Sequence, residues 1–287
     1  MVSEPLLAIC LGLVSAVTLA TANMSVKMGS DILVGRALLS ASSALLIAPA
    51  ALFVPLPDAR LWGALMLTIP AHYAYQLCLV RALQSGDLSL VFPVMRGAAP
   101  LLTAVAALLL LGEHLAPWAW LGLFVATGAL ILFALPPRGV LLRHHPQRSA
   151  LGWAAATAIG IAFYNVLDAR GVRLAENPFS FIVWLFLLDS VLITVTALIF
   201  RRGAYAAALA MRWRYGVAAG ILSLLSFGSA LYAYSLMETA KVSALRETSV
   251  IFAAAMGAYW LGEGFGGRRL VAAVLLALGL VLMQFAG

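Results

Sequence analysis

The sequence predicts an all-helical membrane protein: ten transmembrane helices, arranged as two inverted five-helix repeats around a central cavity. Three observations carry this. Hydrophobic residues make up 64% of the 287 and charged residues only 10%, whereas a soluble domain usually carries about 25% charged residues. The mean hydropathy is correspondingly high, at +1.03. The apolar residues gather into ten runs of about 18–25 residues, each long enough to cross ~30 Å of hydrocarbon. Finally, the chain repeats itself. LLLGEHL from Leu109 closes an apolar segment carrying Arg96, and AYWLGEGF from Ala258 closes one carrying Arg246. Glu113 and Glu263 lie 150 residues apart, as do Arg96 and Arg246. In membrane proteins such duplication commonly builds a carrier with its site between the halves.

The runs are approximately 5–22, 32–54, 61–84, 88–111, 117–135, 151–173, 178–200, 213–237, 242–262 and 267–286. Breaks between them carry turn-forming residues: Pro55 and Pro57, Ser85-Gly86-Asp87, Gly112-Glu113, Pro136-Pro137, Asn177-Pro178 and Arg201-Arg202-Gly203. Residues 1–135 make the first five-helix repeat, 136–150 a connecting loop and 151–287 the second repeat. An odd number of helices per half makes the second half enter the membrane from the opposite side, so the repeat is inverted.

Charge gives the orientation. Of the 18 Lys and Arg residues, twelve fall in loops 1–2, 3–4, 5–6, 7–8 and 9–10 with their helix ends. Only Arg60, Arg170, Arg173 and Lys241 fall on the other side, and Arg96 and Arg246 lie within helices. The positive-inside rule then places the connecting loop in the cytoplasm and both termini outside. The net charge of +7 fits anionic lipid headgroups rather than nucleic acid, since Lys27 and Lys241 are the only lysines. The segment Arg201–Arg214 is Ala-rich, bracketed by arginines and Trp213, and is expected as an interfacial helix. The first segment lacks a basic leader and is expected to be retained as a helix. Cys10 and Cys78 sit in apolar runs with no metal or redox spacing.

A charged residue at the bilayer centre costs roughly 2.5–3.5 kcal/mol, so each polar residue there calls for a reason. His72-Tyr73-Ala74-Tyr75-Gln76 is the densest set, with His72 and Tyr75 on one helix face. It offers a cavity lining or, alternatively, a histidine satisfied by a neighbouring helix. Tyr164-Asn165 and Asp168 follow in the sixth run, Trp184 and Asp189 in the seventh, and Tyr232 in the eighth. Asp189 is the carboxylate nearest a midplane and the candidate for proton coupling; a neutral hydrogen-bonded acid or an arginine's partner are the alternatives. Arg96, flanked by Pro93 and Pro100, and Arg246 are either paired gates or buried ion pairs, Arg246 with Glu247 or Asp189 for instance. Ser223, Ser226, Ser229 and Gly216-x-x-x-Gly220 suit helix packing.

No Walker-type phosphate loop, GxSxG, HExxH or acid cluster is present. The chain is therefore expected to be neither an ATPase nor an enzyme, and to need no metal, cofactor or ATPase subunit. Ten helices, a five-plus-five repeat, and LGE after the fourth and ninth runs resemble the EamA-type drug/metabolite transporter superfamily over essentially the whole chain. Within it the likeness is to bacterial aromatic amino-acid exporters. The resemblance implies an inner-membrane exporter with a cavity lined by the third, fourth, eighth and ninth helices. It places His72, Tyr75, Arg96, Tyr232 and Arg246 there, with Tyr164 and Trp184. The small multidrug-resistance relatives use a glutamate in their first helix, which 6–22 lacks; drug-proton antiport of that kind does not fit.

The sequence thus predicts a secondary transporter working by alternating access on a small-molecule substrate, plausibly as a monomer. Tyr75, Tyr164, Trp184 and Tyr232 suit an aromatic amino acid. His72, Gln76 and Asn165 would bond its polar ends, and Arg96 or Arg246 its carboxylate. The rivals are a drug or cation pump, a sugar- or nucleotide-type carrier of the same fold, a non-transporting membrane subunit, and an intramembrane enzyme using His72 with Asp168 or Asp189.

Overall fold

The computed structural model describes residues 4–27, 31–86, 88–134, 148–252 and 267–285. Regular structure among them is helical: α1 (Glu4–Lys27), α2 (Ile32–Ile47), a 3-10 turn (Ala48–Leu52), α3 (Ala59–Ser85), α4 (Leu88–Leu111), α5 (Pro117–Ala134), α6 (Arg148–Leu174), α7 (Pro178–Ser223), a π-turn (Leu224–Gly228), α8 (Ser229–Leu236), α9 (Thr239–Arg246) and α10 (Gly267–Phe285). Among the described residues, seven stretches are long and apolar enough to cross a bilayer. They coincide with the first four and the sixth to eighth apolar runs, and they make this a multi-pass membrane protein. The apolar parts of α5 and α10, Pro117–Leu132 and Val271–Gln284, are shorter, because about 16 residues at 1.5 Å each give only ~24 Å. The ninth run opens with α9 and continues beyond the described residues. Glu263 and the second LGE also lie outside them, as does most of the loop 136–150.

Helix ends follow from local chemistry. Asp31 caps α2 by accepting from the Leu33 and Val34 N–H groups. Asn177 caps α7 through the Phe179 N–H, with Pro178 in the first turn. Asp58 accepts from Leu61 at the start of α3. Beyond the C-terminal end of α4, Gly112 adopts φ +68, a left-handed conformation that glycine takes without the clash a Cβ would bring.

The 46-residue α7 cannot be straight. Trp184 donates to the Pro55 carbonyl and Ser43 to the Gly220 carbonyl. A straight helix would hold residues 184 and 220 about 54 Å apart. The chain from Ser43 to Pro55, helical as far as Leu52, spans at most about 30 Å, and side chains do not close that gap. The helical path therefore doubles back between these points. Two separate spans, Pro178–Met211 and Trp213–Leu236, fit on it, and the predicted interfacial segment 201–214 lies in the reversal. Its Arg201, Arg202, Trp213 and Arg214 are exposed.

The chain divides into two compact units, Met1–Gln76 with Leu167–Met237, and Leu77–Val166 with Glu238–Gly287. In the first, α2 lies along α7 while α1 packs on α7, the π-turn and α8. Small residues allow this closeness. A Cβ on Gly216 would stand 2.8 Å from Leu38, and one on Gly220 would stand 2.8 Å from Ser42, so the Gly216-x-x-x-Gly220 pair serves packing, as expected. Ser226 likewise donates to the Ser15 carbonyl of α1. In the second unit, α5 packs on α4 and α10, and α9 on α4. Gly122 and Gly279 bring α5 and α10 almost backbone to backbone, since a Cβ on Gly122 would lie 2.5 Å from the Gly279 carbonyl oxygen.

Candidate functional site

Each unit holds a buried polar network, and each network joins the first half of the sequence to the second. In the first unit, His72 and Gln76 stand one helical turn apart on α3 and share a face. Pro70, just before them, cannot donate to the residue 66 carbonyl and so loosens the helix there. The His72 Nε2 lies 3.0 and 3.1 Å from the two carboxylate oxygens of Asp168 on α6. Both side chains are almost wholly buried, at 4% and 0% exposure. The Phe227 ring of the π-turn meets the imidazole edge-on at 5.3 Å and contacts Phe186 in turn. One turn along, the Gln76 amide donates to both oxygens of Asp189 on α7 at 3.0 Å. Its carbonyl accepts from the Arg36 guanidinium of α2 at 3.2 Å. Gln76 is thus a fully buried bridge between a cation and an anion.

The second unit holds a buried ion pair. Arg96 of α4 donates to Glu247 at 3.0 Å, and both are buried. Glu247 follows directly on Arg246, the buried last residue of α9, where the helix breaks into a turn at 247–248. Asn165 of α6 donates to the hydroxyls of Thr103 and Ser243. Glu113 of the first LGE accepts from both the backbone N–H and the hydroxyl of Thr239, at 2.8 and 2.7 Å. Its carboxylate therefore caps the first turn of α9, where unpaired N–H groups and the helix dipole favour a negative charge. In this motif Leu111 ends the helix, Gly112 turns the chain and Glu113 starts another helix.

The residues expected at the site fall accordingly. His72, Tyr75, Gln76, Trp184, Asp189 and Tyr232 belong to the first unit; Arg96, Tyr164, Asn165 and Arg246 belong to the second. Gln76 and Asp189 meet directly. Tyr75 is half-buried on α3 and Tyr164 is buried on α6. Trp184 fastens α7 to the Pro55 carbonyl, and Tyr232 stacks on Phe179 at 5.2 Å. Sequence reasoning gave three participants other or partial roles. Arg36 was counted with the loop charges, although it sits inside the second apolar run and reaches Gln76. Glu247 was offered to Arg246, and it accepts from Arg96. Asp168 was noted in the sixth run and offered to His72 in the enzyme reading, and it is a residue that His72 contacts. The signal for each was an ionisable residue inside a run, which by itself names no partner.

A multi-pass helical membrane protein with ionisable groups paired inside its apolar segments defines the class. Within that class, residues 148–285 match the EamA-like transporter family. A solved structure described only as the crystal structure of a protein has the same fold, with a TM-score of 0.76 at 18% identity. The match covers 98% of this chain and 96% of that one.

Proposed function

We propose that this protein is a secondary transporter that exports small metabolites, aromatic or other amino acids foremost, across an inner membrane by alternating access. One observation carries the reading: within apolar helices, ionisable side chains from the two sequence halves pair with one another, in a chain whose second half matches a transporter family. Intramembrane ionisable residues are expensive to hold and mark substrate or ion pathways.

The inverted repeat is part of the proposal. Each compact unit takes segments from both halves of the sequence, with α3 dividing after Gln76 and α6 after Val166. Ten spans with both termini outside belong to the same reading. Tyr75, Tyr164, Trp184 and Tyr232 would offer aromatic surfaces, and Asn165 a hydrogen bond. Arg96 or Arg246 would meet a carboxylate, Gln76 and His72 other polar ends, and Asp189 is the sequence's own candidate for a proton. Rocking of one half against the other would switch access.

The test is counterflow of labelled amino acids and other metabolites in proteoliposomes holding the purified chain alone. The parent should exchange at least one class of substrate, aromatic amino acids first. Tyr75→Ala and Tyr232→Ala should weaken apparent affinity roughly tenfold, which is ~1.4 kcal/mol. No exchange of anything by the parent removes transport. Exchange undisturbed by either variant removes the aromatic site. Chemical turnover of a substrate in detergent would instead favour the enzyme reading.

A further inference from the structure

Arg36 of α2 and Asp189 of α7 are opposite in charge, yet among the described residues no ion pair joins them directly. The Gln76 amide stands between them. Its oxygen accepts from the Arg36 Nε at 3.2 Å, and its nitrogen donates to both Asp189 oxygens at 3.0 Å. An amide carries its acceptor and its donor about 2.2 Å apart. A zwitterionic α-amino acid presents the same two groups in the same order, a carboxylate that accepts from the cation and an ammonium that donates to the anion. They are separated by one bond more. A neutral group of the chain therefore fills a gap whose polarity and width match such a ligand.

Burial distinguishes this bridge from the other buried links. Gln76 is wholly buried, but Arg36 and Asp189 are half-buried, so both charged ends are within reach while the bridge is not. The bond to Gln76 uses the Arg36 Nε and leaves the forked terminal nitrogens outside the bridge, in the geometry that suits two carboxylate oxygens. Arg96 and Arg246 are only 3% and 4% exposed, and Arg96 is engaged by Glu247. Arg36, Gln76 and Asp189 all belong to the first unit.

We propose that Arg36 and Asp189, spaced by Gln76, clamp the charged end of a zwitterionic amino acid, with the carboxylate on the guanidinium's terminal nitrogens and the ammonium on Asp189. The inference rests on the amino-acid reading above and gives the carboxylate to Arg36, a residue which that reading did not use. While no ligand is bound, the amide keeps each charge answered, as a charge within apolar helices requires. Half a ligand does not suffice. An amine without the carboxylate meets Asp189 but brings a second cation beside Arg36, and a carboxylate without the ammonium brings a second anion beside Asp189. No covalent bond forms or breaks.

The experiment uses the purified full chain in detergent and reads binding as the thermal shift given by each common amino acid in turn. The tightest binder is then compared with its decarboxylated amine and its deaminated acid. The parent should prefer the amino acid to either analogue by about tenfold or more. Arg36→Gln should weaken the amino acid about tenfold and leave the amine unchanged, so that the two bind alike. Asp189→Asn should bring the amino acid down to the deaminated acid in the same way. Binding of no amino acid by the parent, or of an analogue as tightly as the amino acid, overturns the clamp whether or not any variant folds. An unchanged preference in both variants overturns it equally, as does an equal loss of all three ligands. Counterflow in proteoliposomes separates the clamp from transport. Binding with no exchange of any substrate removes transport and keeps the clamp, whereas exchange of other metabolites with no amino acid bound keeps transport and removes the clamp.

Discussion

The two compact units solve one problem in opposite ways. Both hold an ionisable pair joining the sequence halves inside apolar helices. In the second unit the pair is Arg96 with Glu247, a guanidinium and a carboxylate. In the first the pair is His72 with Asp168, whose net charge changes with one proton. The difference lies in the cation: a guanidinium stays charged over the whole accessible pH range, whereas an imidazole titrates.

The largest test of that contrast is Glu247→Leu, which strands a buried guanidinium. Removing one partner of a buried ion pair costs about 3–5 kcal/mol. The variant should melt far below the parent in detergent, and the double variant Arg96→Leu with Glu247→Leu should recover most of the loss. If the single variant unfolds no earlier than Asp168→Asn, the contrast between the pairs does not hold. Next comes the contact between α5 and α10. Gly279→Val would press side-chain atoms into the Ala126 and Gly122 backbone, which a Cβ alone would already approach to 2.6 Å. Such overpacking costs about 1–3 kcal/mol. Gly152→Ala, at a helical position where a Cβ meets nothing within 4 Å, should be neutral or stabilise by about 0.5–1 kcal/mol. A small loss belongs to the LGE cap. Thr239→Ala removes one of the two bonds to Glu113 and should cost about 0.5–1.5 kcal/mol, again read from the melting temperature. A loss above that of Gly279→Val would mean that the cap, rather than the glycine contact, dominates the second unit.

Several features were legible without coordinates because they are local. The apolar runs, the turn residues between them and the Gly216-x-x-x-Gly220 packing face each depend on residues close in sequence. The unusual placement of His72, Gln76, Arg96, Asp189 and Arg246 in the membrane was visible for the same reason. The doubling back of α7 was half legible: Arg201-Arg202-Gly203 and Trp213 announced a break and an interfacial stretch, but the chain stays helical through it. The role of Glu113 was hidden, because a carboxylate that caps another helix leaves no trace in its own neighbourhood.

What the sequence alone determined is that this chain lives in lipid, that its halves echo one another, and which of its polar side chains lie within apolar segments. Only the tertiary structure decided their partners. His72 finds Asp168 across 96 residues, Gln76 finds Asp189 across 113, and Arg96 finds Glu247 across 151. The physical reason is that a buried charge must be answered within hydrogen-bonding distance, and which group answers depends on which helices lie side by side.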